Sequence, residues 1–95
     1  MRDIDTNMVE MINIGFSSVI PKNRIIGIDE TGSSPIKRMI KRAKDENRVI
    51  DVSHGRKIKS VIWLDNGTVY LSSVSVATLA NRMQEDILSK SGNPS

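Results

Sequence analysis

The sequence predicts a small α+β domain with the element order β-β-α-β-β-β-α, a small antiparallel or mixed sheet joined by two helices. Three observations predict it. Apolar residues alternate with period two over Ile12, Ile14 and Phe16, which is a strand signal. They recur at i, i+3, i+4 and i+7 over Ile36, Met39, Ile40 and Ala43, which is the stripe of an amphipathic helix. Asn66-Gly67 then separates two apolar runs, the strongest short-range hairpin signal a sequence can carry.

The elements follow in chain order. Residues 11–20 hold the first strand, and Pro21-Lys22-Asn23 turns the chain. Arg24 to Ile28 is Ile-rich and reads as a second strand paired with the first. Asp29 to Ser34 is a polar loop. Pro35 opens a helix with Ser34 as N-cap, because proline suits the first helical position. Lys37, Arg38, Lys41, Arg42 and Lys44 cover the rest of that helix, which fades near Asp45 to Asn47. Val49 to Val52 is a third strand. Ser53-His54-Gly55-Arg56 is a turn in which Gly55 is free to take positive φ. Lys57 to Leu64 and Thr68 to Ser72 flank the Asn-Gly turn as a fourth and fifth strand. The later strands form an antiparallel meander. A closing helix spans about Ser75 to Leu88, with Val76, Leu79, Ala80, Met83 and Ile87 on one face. The division is residues 1–10 as an N-terminal extension, 11–89 as a single domain and 90–95 as a tail.

At 95 residues and 38% apolar content the chain can bury only a marginal core, which favours an oligomer in which copies cover one another. Fourteen Lys and Arg stand against eleven Asp and Glu, so the position of the charges matters more than their sum of +3. The absence of Cys excludes disulfides, thiol catalysis and cysteine-held zinc or iron–sulfur centres. Met1 to Asn7 lacks the apolar stretch of a signal peptide, and Val61 to Leu64 is the longest unbroken apolar run. A soluble, cytoplasmic protein without a membrane segment is expected.

The inventory argues against an enzyme. It holds one His, one Tyr and none of the phosphate-loop, dinucleotide or nucleophile-elbow motifs. His54 near Asp51 reads as an exposed turn residue before it reads as an acid–base pair. Asp65-Asn66-Gly67 lacks the remaining spacing of a calcium loop and reads as a turn. No metal and no cofactor is expected.

The cations fall into three sets: the helix face, the Arg56-Lys57-Lys59 stretch after Gly55, and Lys22 with Arg24 at the first turn. A helical charge run can be no more than a solvated face. A ribbon tip with paired cations can straddle phosphates. Phe16, Trp63 and Tyr70 all lie in strand-like runs and read as core or interface filling, which leaves no platform for stacking unpaired bases. Duplex DNA, gripped by its phosphates, is therefore the favoured polyanion.

Several segments resemble the RemA-like extracellular matrix regulators of bacteria. They are Ile12-Asn13-Ile14-Gly15-Phe16, Asn23-Arg24, Ser34-Pro35-Ile36-Lys37-Arg38, Ile50-Asp51, Gly55-Arg56-Lys57 and Leu71-Ser72, followed by a helix with Thr78 and Arg82. The resemblance covers about residues 11–83. It implies a nucleoid-associated, DNA-binding transcription regulator that assembles into rings, contacts regulatory DNA at many points and activates operons for biofilm matrix. The positions that match the family's DNA contacts are Arg24, Arg56 and, as Lys in place of the usual Arg, Lys57; Lys59 also stands where the family commonly has Arg and is read with them as DNA-binding. The partners implied are double-stranded DNA and further copies of the chain. The contrasting reading is an oligomeric adaptor that contacts proteins and has no DNA binding.

Overall fold

A computed structural model describes residues 9–85 of the chain. β1 (Met11–Gly15) and β2 (Ser18–Pro21) form an antiparallel hairpin with Ile12 opposite Ile20. The 11–20 run is thus two strands and not one. Gly15 at φ 147° and Phe16 at φ 50° reverse the chain midway, which period-two spacing alone does not reveal. A 3-10 turn over Lys22–Arg24 redirects the chain into β3 (Ile25–Asp29). Adjacency in sequence predicts that β3 pairs with the first strand, and it does not. It pairs antiparallel with β5 (Ser60–Leu64), Ile25 opposite Leu64 and Asp29 opposite Val61. β2 already occupies β1, and Gly27 lets β3 pass close to the Trp63 ring, where an added Cβ would lie 3.4 Å from Cδ1.

α1 (Ser34–Asp45) is capped one residue earlier than the sequence suggests. The Ser33 hydroxyl accepts from the Ile36 amide at 3.3 Å. Pro35 still sits in the first turn, where its missing N–H costs nothing. β4 (Val49–Asp51) follows, then β5, the Asn-Gly turn, β6 (Val69–Ser72) and α2 (Val76–Gln84), capped by Ser75. The Ile87 and Leu88 positions assigned to the closing helix lie outside the described residues.

The larger sheet has the order β3-β5-β6-β4. β5 and β6 form the hairpin that Asn66-Gly67 predicts, but β4 runs parallel to β6, so the later strands are no simple meander. The reason is the segment after β4. It crosses the end of β6 and delivers β5 to the far side, so β4 and β6 point the same way. The segment is pinned by Val52 N–H to Leu71 C=O at 2.9 Å and Lys59 N–H to Ser72 C=O at 2.8 Å. Residues 57–59 belong to this crossing, and regular strand begins only at Ser60.

Alternation along the strands divides the core between the two sheet faces. Ile62 and Leu64 face the β1–β2 hairpin and α2, where Ile12, Ile14, Ile20, Val52 and Leu79 complete a buried cluster. Val61, Val69 and Leu71 face α1, packed by Ala43, Ile36, Ile40 and Trp63. Met39, placed by its spacing on the core stripe of α1, is half-exposed. The two layers are held to the sheet by a few buried polar bonds. The fully buried Ser72 hydroxyl donates to Ile14 C=O at 2.5 Å and accepts from Val74 N–H at 2.9 Å. Arg82 reaches back from α2 to Asn13 C=O at 2.9 Å.

Candidate nucleic-acid interface

Three of the four predicted site residues come from the crossing segment between β4 and β5. Arg56, Lys57 and Lys59 are exposed, and among the described residues none is held in an ion pair. The segment is shaped from both sides. Upstream, Asp51 Oδ1 accepts from the Ser53 amide at 2.8 Å and the Ser53 hydroxyl at 2.6 Å. These two bonds hold its carboxyl below the usual carboxylate range, helped by the attraction of Lys44 and His54. His54 and Gly55 then take φ of 55° and 81°, and Arg56 N–H closes the turn on Ser53 C=O at 3.1 Å. Downstream, Ile58 packs against the α1-side core, so the cations on either side of it are carried by an anchored backbone.

The fourth residue is elsewhere. Arg24 ends the 3-10 turn, and its Nε lies 3.2 Å from Asp65 Oδ1 in an exposed ion pair. Its carbonyl accepts from Asp65 N–H at 2.9 Å, which fastens it to the β5–β6 turn. Arg24 therefore sits at the C-terminal end of β5 and Lys59 at its N-terminal end. Five strand steps separate these ends, about 17 Å. The protomer does not bring Arg24 into one patch with Arg56.

The structure sorts the other cations. Lys22 of the first-turn set is mostly buried. It pairs with Glu10 at 3.5 Å and donates to Glu85 C=O, so it clamps the hairpin to the end of α2. Arg48 is held by Glu46 at 2.7 Å and by Gly67 C=O at 2.5 Å. Lys41 pairs with Asp45 at 3.4 Å across one helical turn. Lys37, Lys41 and Lys44 border a cavity of about 410 Å³ whose wall includes Ile40, Ile58 and Leu71. The helix cations and the crossing segment are thus neighbours across one cleft, which a linear reading of three separate basic sets does not show.

Phe16 is the residue that sequence reasoning misplaced. It fills no strand or core position. It occupies the β1–β2 turn, half-exposed, with its ring centroid 4.3 Å from that of His54 and 5.1 Å from the Arg56 guanidinium carbon. Trp63 and Tyr70 do lie in strands and pack against the core, with Trp63 Nε1 donating to Asp29 at 2.8 Å. His54 faces Phe16, while the Asp51 carboxylate is engaged by Ser53. The pair that resembled an acid–base couple is a turn held by hydrogen bonds.

The model of the RemA-like family, described as extracellular matrix regulatory protein A-like, matches residues 11–83. The chain belongs to the RemA-like family. A relative from Cyanothece sp. is 39% identical over 88 residues, which cover 90% of this chain and 97% of that protein. One from Halalkalibacterium halodurans is 44% identical, covering 79% and 86%. One from Acaryochloris marina is 40% identical, covering 82% and 89%. Each carries the provisional name of a regulatory protein. Among the described residues of the RemA-like chain, no helix is long and apolar enough to cross a membrane.

Proposed function

We propose that this RemA-like protein is a nucleoid-associated transcription regulator that binds double-stranded DNA as a cyclic oligomer and acts by binding, not catalysis. The observation that carries the reading is the crossing segment: Arg56, Lys57 and Lys59 project from one anchored stretch with no carboxylate paired to any of them among the described residues. Cations left without a carboxylate partner are those free to replace the counterions of phosphates. Arg24, at the other end of β5, contributes from a second position. One duplex meets both kinds of site when neighbouring protomers supply them. Each protomer offers few contacts, and an oligomer multiplies them through effective concentration. The family name supports operons of the biofilm-matrix type as targets.

Self-assembly is supported by the sheet edges. β3 and β4 are the two outer strands of the larger sheet, and each exposes an isoleucine, Ile26 at 71% and Ile50 at 45%. The same exposed apolar side chains favour the contrasting reading, an adaptor that binds only proteins. Fluorescence anisotropy over a salt series separates the two. The DNA reading expects tighter binding to a random duplex than to a single strand. It also expects affinity to fall with a log–log slope of about −0.9 per neutralised phosphate. Equal affinity for single strands counts against phosphate gripping of a duplex, and no binding at low salt leaves the adaptor.

A further inference from the structure

Phe16 sits where its own fold has no use for it. It takes the first loop position of the two-residue β1–β2 turn at φ 50°, a place where glycine is the usual residue. A bulky side chain in that backbone region is a genuine outlier. Such strain persists where surrounding structure holds it and is commonest at functional sites. Here Asn13 holds it: its Oδ1 accepts from Gly15 N–H at 2.9 Å and its Nδ2 donates to Phe16 C=O at 2.8 Å. The ring gains no core burial in return, since half of the residue remains exposed. What the strained turn achieves is a contact across the molecule. Gly15 approaches the crossing segment so closely that an added Cβ would lie 3.3 Å from Val52 C=O. That approach sets the Phe16 ring against His54 and beneath Arg56, at 4.3 Å and 5.1 Å. His54 meets it from a second left-handed position, φ 55°.

We propose that Phe16 is a positioning residue for Arg56, a platform that fixes the guanidinium so that its planar donor edge faces a pair of duplex acceptors. The inference rests on the DNA-binding reading above and divides labour within the segment. Lys57 and Lys59 are flexible point charges that neutralise phosphates. Arg56 lies within the distance at which a ring face attracts a guanidinium. No hydrogen bond from its guanidinium donors occurs among the described residues, and the ring contact uses none of them as a hydrogen-bond donor to an oxygen, so they are free for two acceptors at once. Holding a long side chain in its binding geometry before DNA arrives removes part of the ordering cost of association.

The test compares Phe16→Gly, Phe16→Leu and Phe16→Tyr with wild type and Arg56→Ala on one duplex across a salt series, with light scattering and thermal melting of each variant. Phe16→Gly relieves the positive φ, so it keeps the assembly and melts no lower than wild type. It nevertheless binds about 2- to 5-fold more weakly for each engaged protomer. Its salt slope stays at the wild-type value, because no charge is removed. Phe16→Leu behaves like Phe16→Gly in binding, and Phe16→Tyr restores affinity. In the Arg56→Ala background, Phe16→Gly has no further effect. Without DNA, the Arg56 Cδ protons show a ring-current shift in wild type and Phe16→Tyr that disappears in Phe16→Leu. Wild-type affinity in Phe16→Gly, or an undiminished loss in the Arg56→Ala background, overturns the role of Phe16. A wild-type protein that keeps the ring-current shift yet binds no duplex overturns the DNA reading itself.

Discussion

Single side chains decide how much of the positive charge is available. Arg24 shares its charge with Asp65 in a pair whose side chains are 53% and 43% exposed. Exposed pairs of this kind contribute only about 0–1 kcal/mol, so DNA can compete for the arginine. Asp65→Asn should therefore raise duplex affinity modestly at low salt, an effect that fades as salt screens it. Arg24→Ala should weaken binding less than Arg56→Ala, since Arg56 has no carboxylate to give up. A titration in which Asp65→Asn binds more weakly than wild type would remove Arg24 from the interface. Asp51, at the start of the crossing segment, links the stability of that turn to pH. The Ser53 hydroxyl and amide hold its folded pKa below the ordinary value. A depressed carboxyl pKa contributes stability that is complete above the unfolded pKa and is lost as pH falls through the folded one. Melting temperatures of wild type and Asp51→Asn should thus differ most from about pH 5 upward and converge in acid. Equal melting at neutral pH would show that the Asp51–Ser53 bonds do not stabilise the fold.

Elements show what was legible in the chain and what was not. α1 and its basic residues, the Asn-Gly hairpin and the start of α2 near Ser75 follow from local chemistry: apolar spacing and a turn dipeptide each act within a few residues. Strand partners do not. β3 lies next to the hairpin in sequence but pairs with β5, because that choice depends on where the crossing segment places β5 dozens of residues later. The parallel β4–β6 pairing has the same origin. At the site, Arg56, Lys57 and Lys59 were legible as a cluster after a glycine turn. The separation of Arg24 and the burial of Lys22 were not, since both arise from tertiary partners. Phe16 had a legible signal of another kind: Gly-Phe-Ser-Ser is a turn composition inside an apolar alternation. The layer contact that sets this corner can be tested through Ser72, whose hydroxyl is the buried bridge from β6 to β1. Ser72→Ala leaves Ile14 C=O and Val74 N–H without that partner and should cost about 1–3 kcal/mol in denaturant unfolding. A cost near zero would mean the hairpin is held by apolar packing alone. Lys41→Ala on α1 removes a cation already paired with Asp45, so its effect on duplex affinity should fall well below that of Arg56→Ala.

At the scale of the whole molecule, the proposed mechanism depends on copies acting together, and that dependence has measurable consequences. The protomer holds its two groups of candidate contacts at opposite ends of β5, each too small for tight binding alone. The exposed isoleucines at both sheet edges give the means to repeat them. Ile26→Glu places a charge on the β3 edge, a device by which natural sheets prevent edge pairing. It should lower the assembly's mass in light scattering and weaken duplex binding in parallel, although no DNA contact is altered. An unchanged mass would move the interface elsewhere. The decisive experiment uses mixed assemblies. Wild-type and Arg56→Ala subunits are co-expressed with different tags, and assemblies holding both are purified through each tag in turn. If every protomer contributes to one shared duplex, contributions add in free energy, and an assembly with half its Arg56 side chains binds with a log affinity midway between the two pure forms. Arg56→Ala throughout then costs far more than one subunit's contact, because the loss is repeated around the ring. If each protomer binds DNA independently, the mixed assembly instead keeps wild-type affinity at half the wild-type capacity. That second outcome would end the avidity mechanism while leaving the individual cations of the crossing segment in contact with DNA.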